Sequence, residues 1–205
     1  MKVAIIGAGN VGKALGTSLR RAGHEVTLAA TSPESAQAAA TEIGSRSADS
    51  AAAAVIDAHV VILAVPYQAG RDVAVEIADG TVGRTIIDTT NPLKADYSGL
   101  ATGTSAAEEL QLRLPDAHVV KAFNTVFASN QADPSGADAP IDGFVAGDDA
   151  DAKRTVISLV ESIGMNPLDV GPLSAARYLE GMAFINIGLN AANGWSWTSA
   201  WKLER

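Results

Sequence analysis

The chain alternates between short apolar runs, rich in β-branched residues, and longer Ala-rich segments with helical spacing. Several short runs are apolar at consecutive positions, which is typical of parallel strands covered on both faces. The predicted strands are residues 2–6, 25–29, 59–65, 85–88, 118–123, 143–146 and 167–170. The predicted helices are residues 11–22, 33–43, 51–56, 69–78, 105–114 and 149–163, with loops at 99–103 and 132–140. This order predicts an α/β fold, a Rossmann-type doubly wound and mostly parallel sheet.

The pattern changes after Val170, which divides the prediction into a sheet domain over 1–170 and a small C-terminal helical extension over 171–205. Gly171-Pro172 interrupts the chain, and one long helix then runs to about Asn193. Because this helix is apolar on more than one face, we expect it to be buried in a core or against another subunit. The tail at 194–205 holds all three tryptophans of the chain, Trp195, Trp197 and Trp201.

A glycine-rich segment, Gly7-Ala8-Gly9-Asn10-Val11-Gly12, follows the first predicted strand and opens the first predicted helix. In this context the spacing predicts a dinucleotide-binding loop. Gly7 permits the tight turn, Gly9 permits close approach of a pyrophosphate, and Gly12 permits close packing of the helix. The N-terminus of the helix then offers free N–H groups to the anion.

The end of the second predicted strand bears on the choice between NAD and NADP. NAD-binding folds usually carry a carboxylate there for the ribose 2′-hydroxyl, whereas this strand ends in Ala30-Thr31-Ser32. The absence of a carboxylate favours NADP, and Thr31 and Ser32 offer hydroxyl groups to its 2′-phosphate. Arg46 is the cation that we consider for the same phosphate.

Composition narrows the possible functions. With 47% hydrophobic and 19% charged residues, the chain is predicted to be globular, and its net charge of −8 disfavours nucleic-acid binding. It contains no cysteine and no apolar segment of membrane-spanning length, so we expect no membrane association and a cytoplasmic protein.

The sequence provides little for acid–base or metal chemistry. His24, His59 and His118 each precede an apolar strand run, which places them at the opposite edge of the sheet from the ligand. We therefore predict no catalytic side chain and no metal site. Lys121 lies within a strand run, and we interpret it as a partner on a sheet face.

The residues that follow the strands are neutral: Val65-Pro66, Asn91-Pro92 and Asn124-Thr125-Val126. Such a site suits a reaction that needs only the juxtaposition of two rings, because the cofactors then supply the electronic chemistry. Hydride transfer between a nicotinamide and a flavin-like acceptor is one such reaction.

Six segments together span nearly the whole chain: MKVAIIGAGNVGKAL, VVILAVPY, IIDTTNPL, VVKAFNTVFA, VAGDD and DVGPLSAARYLE. They resemble the small F420-dependent NADP reductases (NADPH:deazaflavin oxidoreductases), which are related to the cytoplasmic reductase domain of the STEAP metalloreductases. The resemblance implies an NADP-binding Rossmann domain with a small C-terminal helical part, usually in a homodimer. It also implies direct hydride transfer between NADPH and C5 of the deazaflavin, coenzyme F420.

The resemblance also assigns residues. Gly9, Asn10, Val11 and Gly12 would contact the pyrophosphate, with Gly7 at the turn, and Thr31 and Ser32 would face the 2′-phosphate. Pro66, Val126 and Ala128 would line the nicotinamide side, next to Val65. Asn91, Asn124 and the C-terminal helix would border the acceptor cleft, and that helix would also form the homodimer contact.

Two alternatives differ from an F420 reductase. The same fold could reduce a flavin or another small acceptor with NADPH, or it could sense the NADP state without turnover. Pyrroline-5-carboxylate reductases share the N-terminal signature, but they carry a longer helical dimer domain than the residues after Pro172 can supply. For the tryptophan tail we favour packing across a dimer interface over stacking on a deazaflavin, because aromatic residues are enriched at interfaces.

Overall fold

The computed structural model describes residues 1–134 and 140–204. Its strands are β1 (Lys2–Ile6), β2 (Glu25–Ala29), β3 (Arg46–Ser47), β4 (Val60–Leu63), β5 (Thr85–Asp88), β6 (His118–Ala122), β7 (Asp142–Gly147) and β8 (Asn166–Asp169). Its helices are α1 (Asn10–Arg21), α2 (Pro33–Ile43), α3 (Ala51–Val55), α4 (Gly70–Ile77), α5 (Ala106–Arg113), α6 (Ala128–Ala132), α7 (Ala150–Ser162) and α8 (Ala176–Asn193).

The eight strands form one sheet in the order β3-β2-β1-β4-β5-β6-β7-β8. The strands β1 to β6 are parallel, whereas β7 runs antiparallel to β6 and pairs in parallel with β8. The strand order reverses between β1 and β4, which is where doubly wound sheets bind their ligands, outside the carboxyl ends of the strands. The predicted α/β fold with a mostly parallel sheet and a C-terminal helix is therefore confirmed.

Helices cover both faces of the sheet, which explains why its strands are apolar at consecutive positions. On one face, side chains of α1, α2 and α7 pack around Ile5, Leu28 and Val120. On the other face, α3, α4 and α5 pack around Val61, Leu63 and Ile86. The central strands β4 and β5 are buried along their whole length.

Two short elements were not predicted, the edge strand β3 and the helix α6. The strand β3 has only two residues, and the sequence of α6, ASNQA, contains no large apolar residue that would mark a helical period. The helix α6 covers Ala128–Ala132 and packs beside α1, so its first residues lie next to the glycine loop. The loop predicted over 132–140 lies mostly outside the described residues, and its first residue ends α6.

The long helix α8 has the reverse of the usual polarity. Its buried face carries the polar residues Glu180, Asn186 and Asn190 beside small and apolar ones. Its outer face carries a stripe of apolar residues at helical spacing, Tyr178, Met182, Ile185 and Leu189, which we call the outer stripe. Tyr178 is 70% and Ile185 52% exposed. Of the two expectations for this helix, burial in the core of its own chain is therefore wrong for the outer stripe.

The tail after α8 folds back onto its own chain. The backbone carbonyls of Trp197 and Thr198 accept hydrogen bonds from Ser129 and Asn130 of α6, at 2.6 and 2.9 Å. Further along, the backbone N–H of Leu203 donates to the buried carboxylate of Asp142, at 2.5 Å. The tail thus fastens α8 to α6 and β7 within one subunit. No helix in the described residues is long and apolar enough to cross a membrane.

Candidate functional site

The glycine loop has the geometry that the spacing predicts. Gly7 adopts a φ of +119°, and a Cβ there would collide with the carbonyl oxygen of Ala64. A Cβ on Gly12 would collide with the carbonyl oxygen of Gly7, so both glycines are required for close backbone packing. Gly9 differs, because no atom of residues 1–134 or 140–204 lies within 4 Å of the position that its Cβ would take. The space above Gly9 is therefore open to a ligand.

The N-terminus of α1 begins directly at this open space. No side chain in the described part of the chain caps the helix, and the N–H groups of Asn10, Val11 and Gly12 have no acceptor within the helix. Gly9 and Asn10 are exposed, and no acidic residue lies in the first turn. Uncapped N–H groups and the positive end of the helix dipole together form a site for an anion such as a pyrophosphate.

Thr31 and Ser32 follow β2 at the same edge of the sheet. Ser32 is the N-cap of α2 and accepts a hydrogen bond from the backbone N–H of Ser35 at 3.2 Å, and Thr31 is exposed. Arg46, considered above for the 2′-phosphate, lies at the opposite edge. It pairs with Glu25, the first residue of β2, at 3.1 Å. The suggested role of Arg46 is therefore wrong, because β3 places its side chain at the start of β2 and not at its end.

The remaining predicted site residues lie along the same carboxyl edge, in an order that matches the parts of a dinucleotide. Val65 and Pro66 follow β4, Asn91 follows β5, and Asn124 follows β6. With Thr31 and Ser32 after β2 and the glycine loop after β1, the edge presents a hydroxyl end, an anion site and an amide-lined end in sequence. A dinucleotide has the same order of parts, namely adenosine phosphate, pyrophosphate and nicotinamide.

A cavity of about 200 Å³ lies at the amide-lined end of this edge. It brings together five of the predicted residues, Val11, Asn91, Asn124, Val126 and Ala128. The helix α8 closes the other side with Ala183, Asn186 and Ile187. We call this space the α1–α8 cavity.

The walls of the α1–α8 cavity are neutral. They combine apolar side chains with the hydroxyl and amide groups of Thr89, Thr125 and Asn186, and none of the described lining residues has an ionisable side chain. Such walls exclude water from a bound ring and hold it in place, but they neither donate nor accept a proton as a general acid or base would.

An amide pair forms part of the cavity wall. The side-chain Nδ2 of Asn124 donates to Oδ1 of Asn91 at 3.0 Å, and Nδ2 of Asn91 donates to the backbone carbonyl of Asn124 at 3.1 Å. These bonds fix the loops after β5 and β6 against each other. Oδ1 of Asn124 is buried and has no hydrogen-bond partner within the described structure.

Gln131, which no sequence pattern indicated, also lines the cavity. Its Nε2 donates to the carbonyl oxygens of Phe123 and Val126, both at 2.9 Å, and its Oε1 is buried without a partner within the described structure. The position was missed because α6 was not predicted.

An aromatic contact supports the same wall. The ring of Phe127, which lines the cavity, meets that of Trp197 edge to face, with centroids 5.4 Å apart. This contact lies within one subunit and places Trp197 behind the cavity wall. The tryptophan tail thus reaches the site indirectly.

A buried charge cluster lies behind the cavity. The Nζ of Lys121, on β6, donates to Asp88 at 2.8 Å, to the carbonyl oxygen of Thr90 at 2.5 Å and to Glu180 of α8 at 2.7 Å. All three charged side chains are 2% exposed or less. The cluster ties α8 to the ends of β5 and β6, and therefore joins two sides of the α1–α8 cavity.

The cluster holds two carboxylates for one ammonium group. Burial raises the pKa of Glu180 above its ordinary value, although Lys121 acts in the opposite direction. One oxygen of Glu180 accepts from Lys121 and from the backbone N–H of Ala106, whereas the other has no partner within the described structure. The partner that the sequence suggested for Lys121 thus comes from a helix as well as from the sheet.

A second cavity, of about 210 Å³, lies on the other face of the sheet between α4 and α5. Tyr67 and Glu109 line it, joined by a hydrogen bond of 2.7 Å, and burial with this carboxylate raises the pKa of Tyr67 to about 12. None of the predicted site residues lines this cavity, and it lies away from the N-terminus of α1. We therefore place the candidate site at the α1–α8 cavity.

The histidines lie at the far edge of the sheet, as their sequence positions indicate. His24 bonds to the N-terminal amine and to Ser162, His59 accepts from the backbone of Lys2, and His118 lies 3.6 Å from Asp149. Within residues 1–134 and 140–204, no group of three metal-ligating side chains comes together.

The residues present fit an NADP molecule. The open space over Gly9 and the uncapped α1 can hold its pyrophosphate, the hydroxyl groups of Thr31 and Ser32 its 2′-phosphate, and the α1–α8 cavity its nicotinamide. A net negative charge of −8 does not oppose this, because the attraction comes from local N–H groups.

Comparison with known proteins also indicates an NADP-dependent oxidoreductase. The profile of the family described as NADP oxidoreductase, coenzyme F420-dependent, matches residues 2–92. The F420-dependent NADP reductase of Methanothermobacter marburgensis is 33% identical in an alignment of 217 positions that covers 94% of each chain. The metalloreductase STEAP3 of Rattus norvegicus is 29% identical over 180 residues, and this chain spans only 36% of that longer protein.

A solved structure extends the similarity to the whole fold. The crystal structure of a candidate F420-dependent NADP reductase from Arthrobacter sp. FB24 superposes with a TM-score of 0.89 at 28% identity and covers all of both chains. The full coverage includes α8 and the tail.

The fold and the relatives define an oxidoreductase of the Rossmann class, and the carboxyl edge of its sheet is the candidate dinucleotide site. The chain belongs to the family of F420-dependent NADP reductases. This membership confirms the family that the sequence motifs suggested, the oxidoreductase class, and NADP with coenzyme F420 as the pair of cofactors.

Proposed function

We propose that this protein transfers a hydride directly between NADPH and coenzyme F420, with the two rings stacked in the α1–α8 cavity. The observation that carries this proposal is the neutral wall of the cavity, which holds no ionisable side chain among its described lining residues. A reaction that required a protein acid or base would need one there. Transfer between two rings requires only proximity, orientation and the exclusion of water.

The proposed step is the transfer of one hydride. One hydrogen leaves the reduced nicotinamide with its electron pair and forms a C–H bond at C5 of the deazaflavin, and a proton from water completes the reduced deazaflavin. NADPH is oxidised and F420 is reduced, and the reverse direction uses the same contacts. When bound, the nicotinamide supplies the redox chemistry, while the chain binds and orients it.

The proposed binding residues are those at the carboxyl edge. Gly9, Asn10, Val11 and Gly12 bind the pyrophosphate through backbone N–H groups after the turn at Gly7. Thr31 and Ser32 bind the 2′-phosphate, and Val65 and Pro66 lie beside the ribose and nicotinamide portion. Asn91, Asn124, Val126 and Ala128 surround the two rings. On this proposal, residues 1–170 form the NADP-binding domain, and 171–205 complete the acceptor side.

Turnover with defined acceptors tests the proposal. The purified protein is mixed with NADPH and with F420, FMN, FAD or no acceptor, and the oxidation of NADPH is followed by absorbance. We expect turnover with F420 that exceeds turnover with either flavin. Faster reduction of FMN or FAD would replace F420 by a flavin acceptor. NADPH binding without turnover on any acceptor would favour a protein that senses the NADP state.

We further propose that the working form is a homodimer joined through the outer stripe of α8. Ile185 and Leu189 are large apolar residues that remain exposed in a single chain, although the buried face of the same helix carries Glu180 and two asparagines. An exposed apolar stripe of this kind is typical of a surface that another subunit covers. Gly181 and Gly188 add to it, because the positions of their Cβ atoms are open and allow close approach of another helix.

The oligomeric state tests the dimer. Ile185→Glu is compared with Leu112→Glu, which introduces the same charge at an exposed leucine of α5. Light scattering during size exclusion should show that the first variant is monomeric and that the second is a dimer, like the unmodified chain. A monomeric unmodified chain, or a dimeric Ile185→Glu variant, would contradict the proposed interface.

We also propose a cytoplasmic location, in keeping with the absence of cysteine from the sequence.

A further inference from the structure

Two buried oxygen atoms of residues that line the α1–α8 cavity have no hydrogen-bond donor within the described structure. They are Oδ1 of Asn124 and Oε1 of Gln131, and the two side chains are 7% and 1% exposed. A buried acceptor without a partner costs free energy, and native proteins keep few of them. Two such acceptors in the wall of one cavity indicate that a ligand supplies the donors.

The orientation of both amide groups follows from their other bonds. Nε2 of Gln131 donates to two carbonyl oxygens, which can only accept, so Oε1 must be the free atom. The amide of Asn124 donates through Nδ2 to Asn91, and Asn91 in turn donates to the carbonyl oxygen of Asn124. This reciprocal pairing leaves Oδ1 of Asn124 free as well.

The position of the two oxygens indicates which part of a bound dinucleotide supplies the hydrogen-bond donors. Gln131 lies on α6, which packs beside α1, and Val11 in the first turn of α1 lines the same cavity. A dinucleotide whose pyrophosphate binds at the N-terminus of α1 therefore places its nicotinamide on this side. The Asn186 side, formed by α8, is left for the second ring.

We infer that Gln131 and Asn124 form the receptor for the carboxamide group of the nicotinamide, and that the two free oxygens accept its two N–H hydrogens. The inference rests on the proposed function, since it requires NADP to bind in the α1–α8 cavity. It assigns a role to Gln131 and makes these two residues determinants of ring orientation. The carboxamide fixes which face of the nicotinamide is turned towards the acceptor.

Analogues of NADP⁺ test the receptor without any mutation. In the 3-acetylpyridine analogue a methyl group replaces the carboxamide NH₂, whereas the thionicotinamide analogue retains the NH₂. Binding to the purified protein is measured by calorimetry for NADP⁺ and both analogues. We expect the acetylpyridine analogue to bind about tenfold or more weakly than NADP⁺, because two buried acceptors stay unsatisfied. The thionicotinamide analogue should bind within about threefold of NADP⁺.

Variants then locate the receptor. Gln131→Met and Asn124→Leu each remove one acceptor, and each should bring the affinity ratio of NADP⁺ to the acetylpyridine analogue towards one. Gln131→Met also removes two bonds to backbone carbonyls, so its matched control is Gln111→Met. Gln111 donates to the carbonyl oxygens of Leu114 and Ala117, away from the cavity. The control should keep the ratio of the unmodified protein.

The outcomes separate this inference from the proposed function. Equal binding of NADP⁺ and the acetylpyridine analogue to the unmodified protein would overturn the receptor and leave the proposed function in place. A folded Gln131→Met variant that keeps the full ratio would also overturn it. If Gln131→Met does not fold, Asn124→Leu and the analogue comparison still decide. Failure of NADP⁺ to bind would overturn the proposed function, and the receptor with it.

Discussion

Lys121 Nζ lies 2.7 Å from Glu180 Oε1, and both side chains are fully buried. The contact joins residues 59 positions apart and holds α8 against the end of β6. Since α8 forms one wall of the α1–α8 cavity and the residues after β6 form another, this ion pair links two walls of the site.

Lys121→Met should destabilise the protein by about 3–5 kcal/mol. The substitution keeps the length of the side chain but leaves the carboxylates of Asp88 and Glu180 buried without a cation, which is the costly half of breaking a buried ion pair. The free energy of unfolding in urea measures the loss. Lys13→Met is the control, because Lys13 pairs with Glu42 on the surface and should contribute less than about 1 kcal/mol. Equal losses in the two variants would contradict the structural role of the cluster.

The ionisation of Glu180 should lower stability as the pH rises. Its pKa is higher in the folded protein than the ordinary value of 4.5, mainly because of burial, so the folded state binds more protons between the two values. The free energy of unfolding therefore falls as the pH rises through that interval. The glutamine of Glu180→Gln does not titrate. Above that interval, the free energy of unfolding of Glu180→Gln relative to that of the unmodified protein should therefore be higher than it is at low pH.

Urea titrations at a series of pH values measure this difference. Glu161→Gln, which changes an exposed glutamate of α7, serves as the control and should run parallel to the unmodified protein. Parallel curves for Glu180→Gln and the unmodified protein would show that the carboxyl group of Glu180 titrates normally in the fold.

Gly9→Ala should fold normally and lose affinity for NADP⁺. Its Cβ would enter the open space at the start of α1, where the pyrophosphate is expected, and the backbone φ of −76° suits alanine. We expect about tenfold weaker binding or more, from the loss of hydrogen bonds to a charged group. Calorimetry measures affinity, and thermal melting measures stability.

Gly12→Ala is the contrasting variant within the same loop. A Cβ there meets the carbonyl oxygen of Gly7, so we expect a lower melting temperature as well as weaker binding. If Gly9→Ala were the less stable of the two variants, or if it bound NADP⁺ normally, the assignment of the open space to the pyrophosphate would be wrong.

Thr31→Asp should reverse the preference between the two nucleotides. A carboxylate at the end of β2 repels a 2′-phosphate and can accept a hydrogen bond from a 2′-hydroxyl. We expect the affinity for NADPH to fall about tenfold or more, while that for NADH is unchanged or rises. Fluorescence titrations with both nucleotides measure the ratio.

Ser32→Ala should weaken NADPH binding as well, but it also removes an N-cap, worth about 1 kcal/mol of stability. Ser50→Ala is its control, because Ser50 caps α3 through the same bond to a backbone N–H. A preference for NADH in the unmodified protein, or the same change in nucleotide preference in both serine variants, would contradict the assignment of the 2′-phosphate.

The parts of the molecule that sequence could predict are those with local signals. The glycine loop and β1 were predicted from spacing, because their conformation depends on neighbouring residues. The position of Asn91 and Asn124 followed from the rule that parallel strands end at one edge. Their mutual hydrogen bonds did not, because nothing local shows which loops touch.

The parts that were missed depend on contacts distant in the sequence. Lys121 could be seen as buried, but Glu180, on a helix that looked apolar all round, gave no sign that it faces inward. Gln131 was missed because α6, with the sequence ASNQA, shows no helical pattern of large apolar residues. The sequence could not place Arg46 because β3 was not recognised, and β3 turns its side chain to the start of β2.

Deuterium on the nicotinamide shows whether the hydrogen passes directly between the two rings. The protein is incubated without oxygen in ordinary water with F420 and with NADPH deuterated at C4 of the nicotinamide, once on each face, and the reduced deazaflavin is analysed by mass spectrometry. We predict that one of the two labelled forms delivers its deuterium to C5. Reduced deazaflavin that carries hydrogen from water at C5, whichever face of NADPH was labelled, would contradict direct transfer.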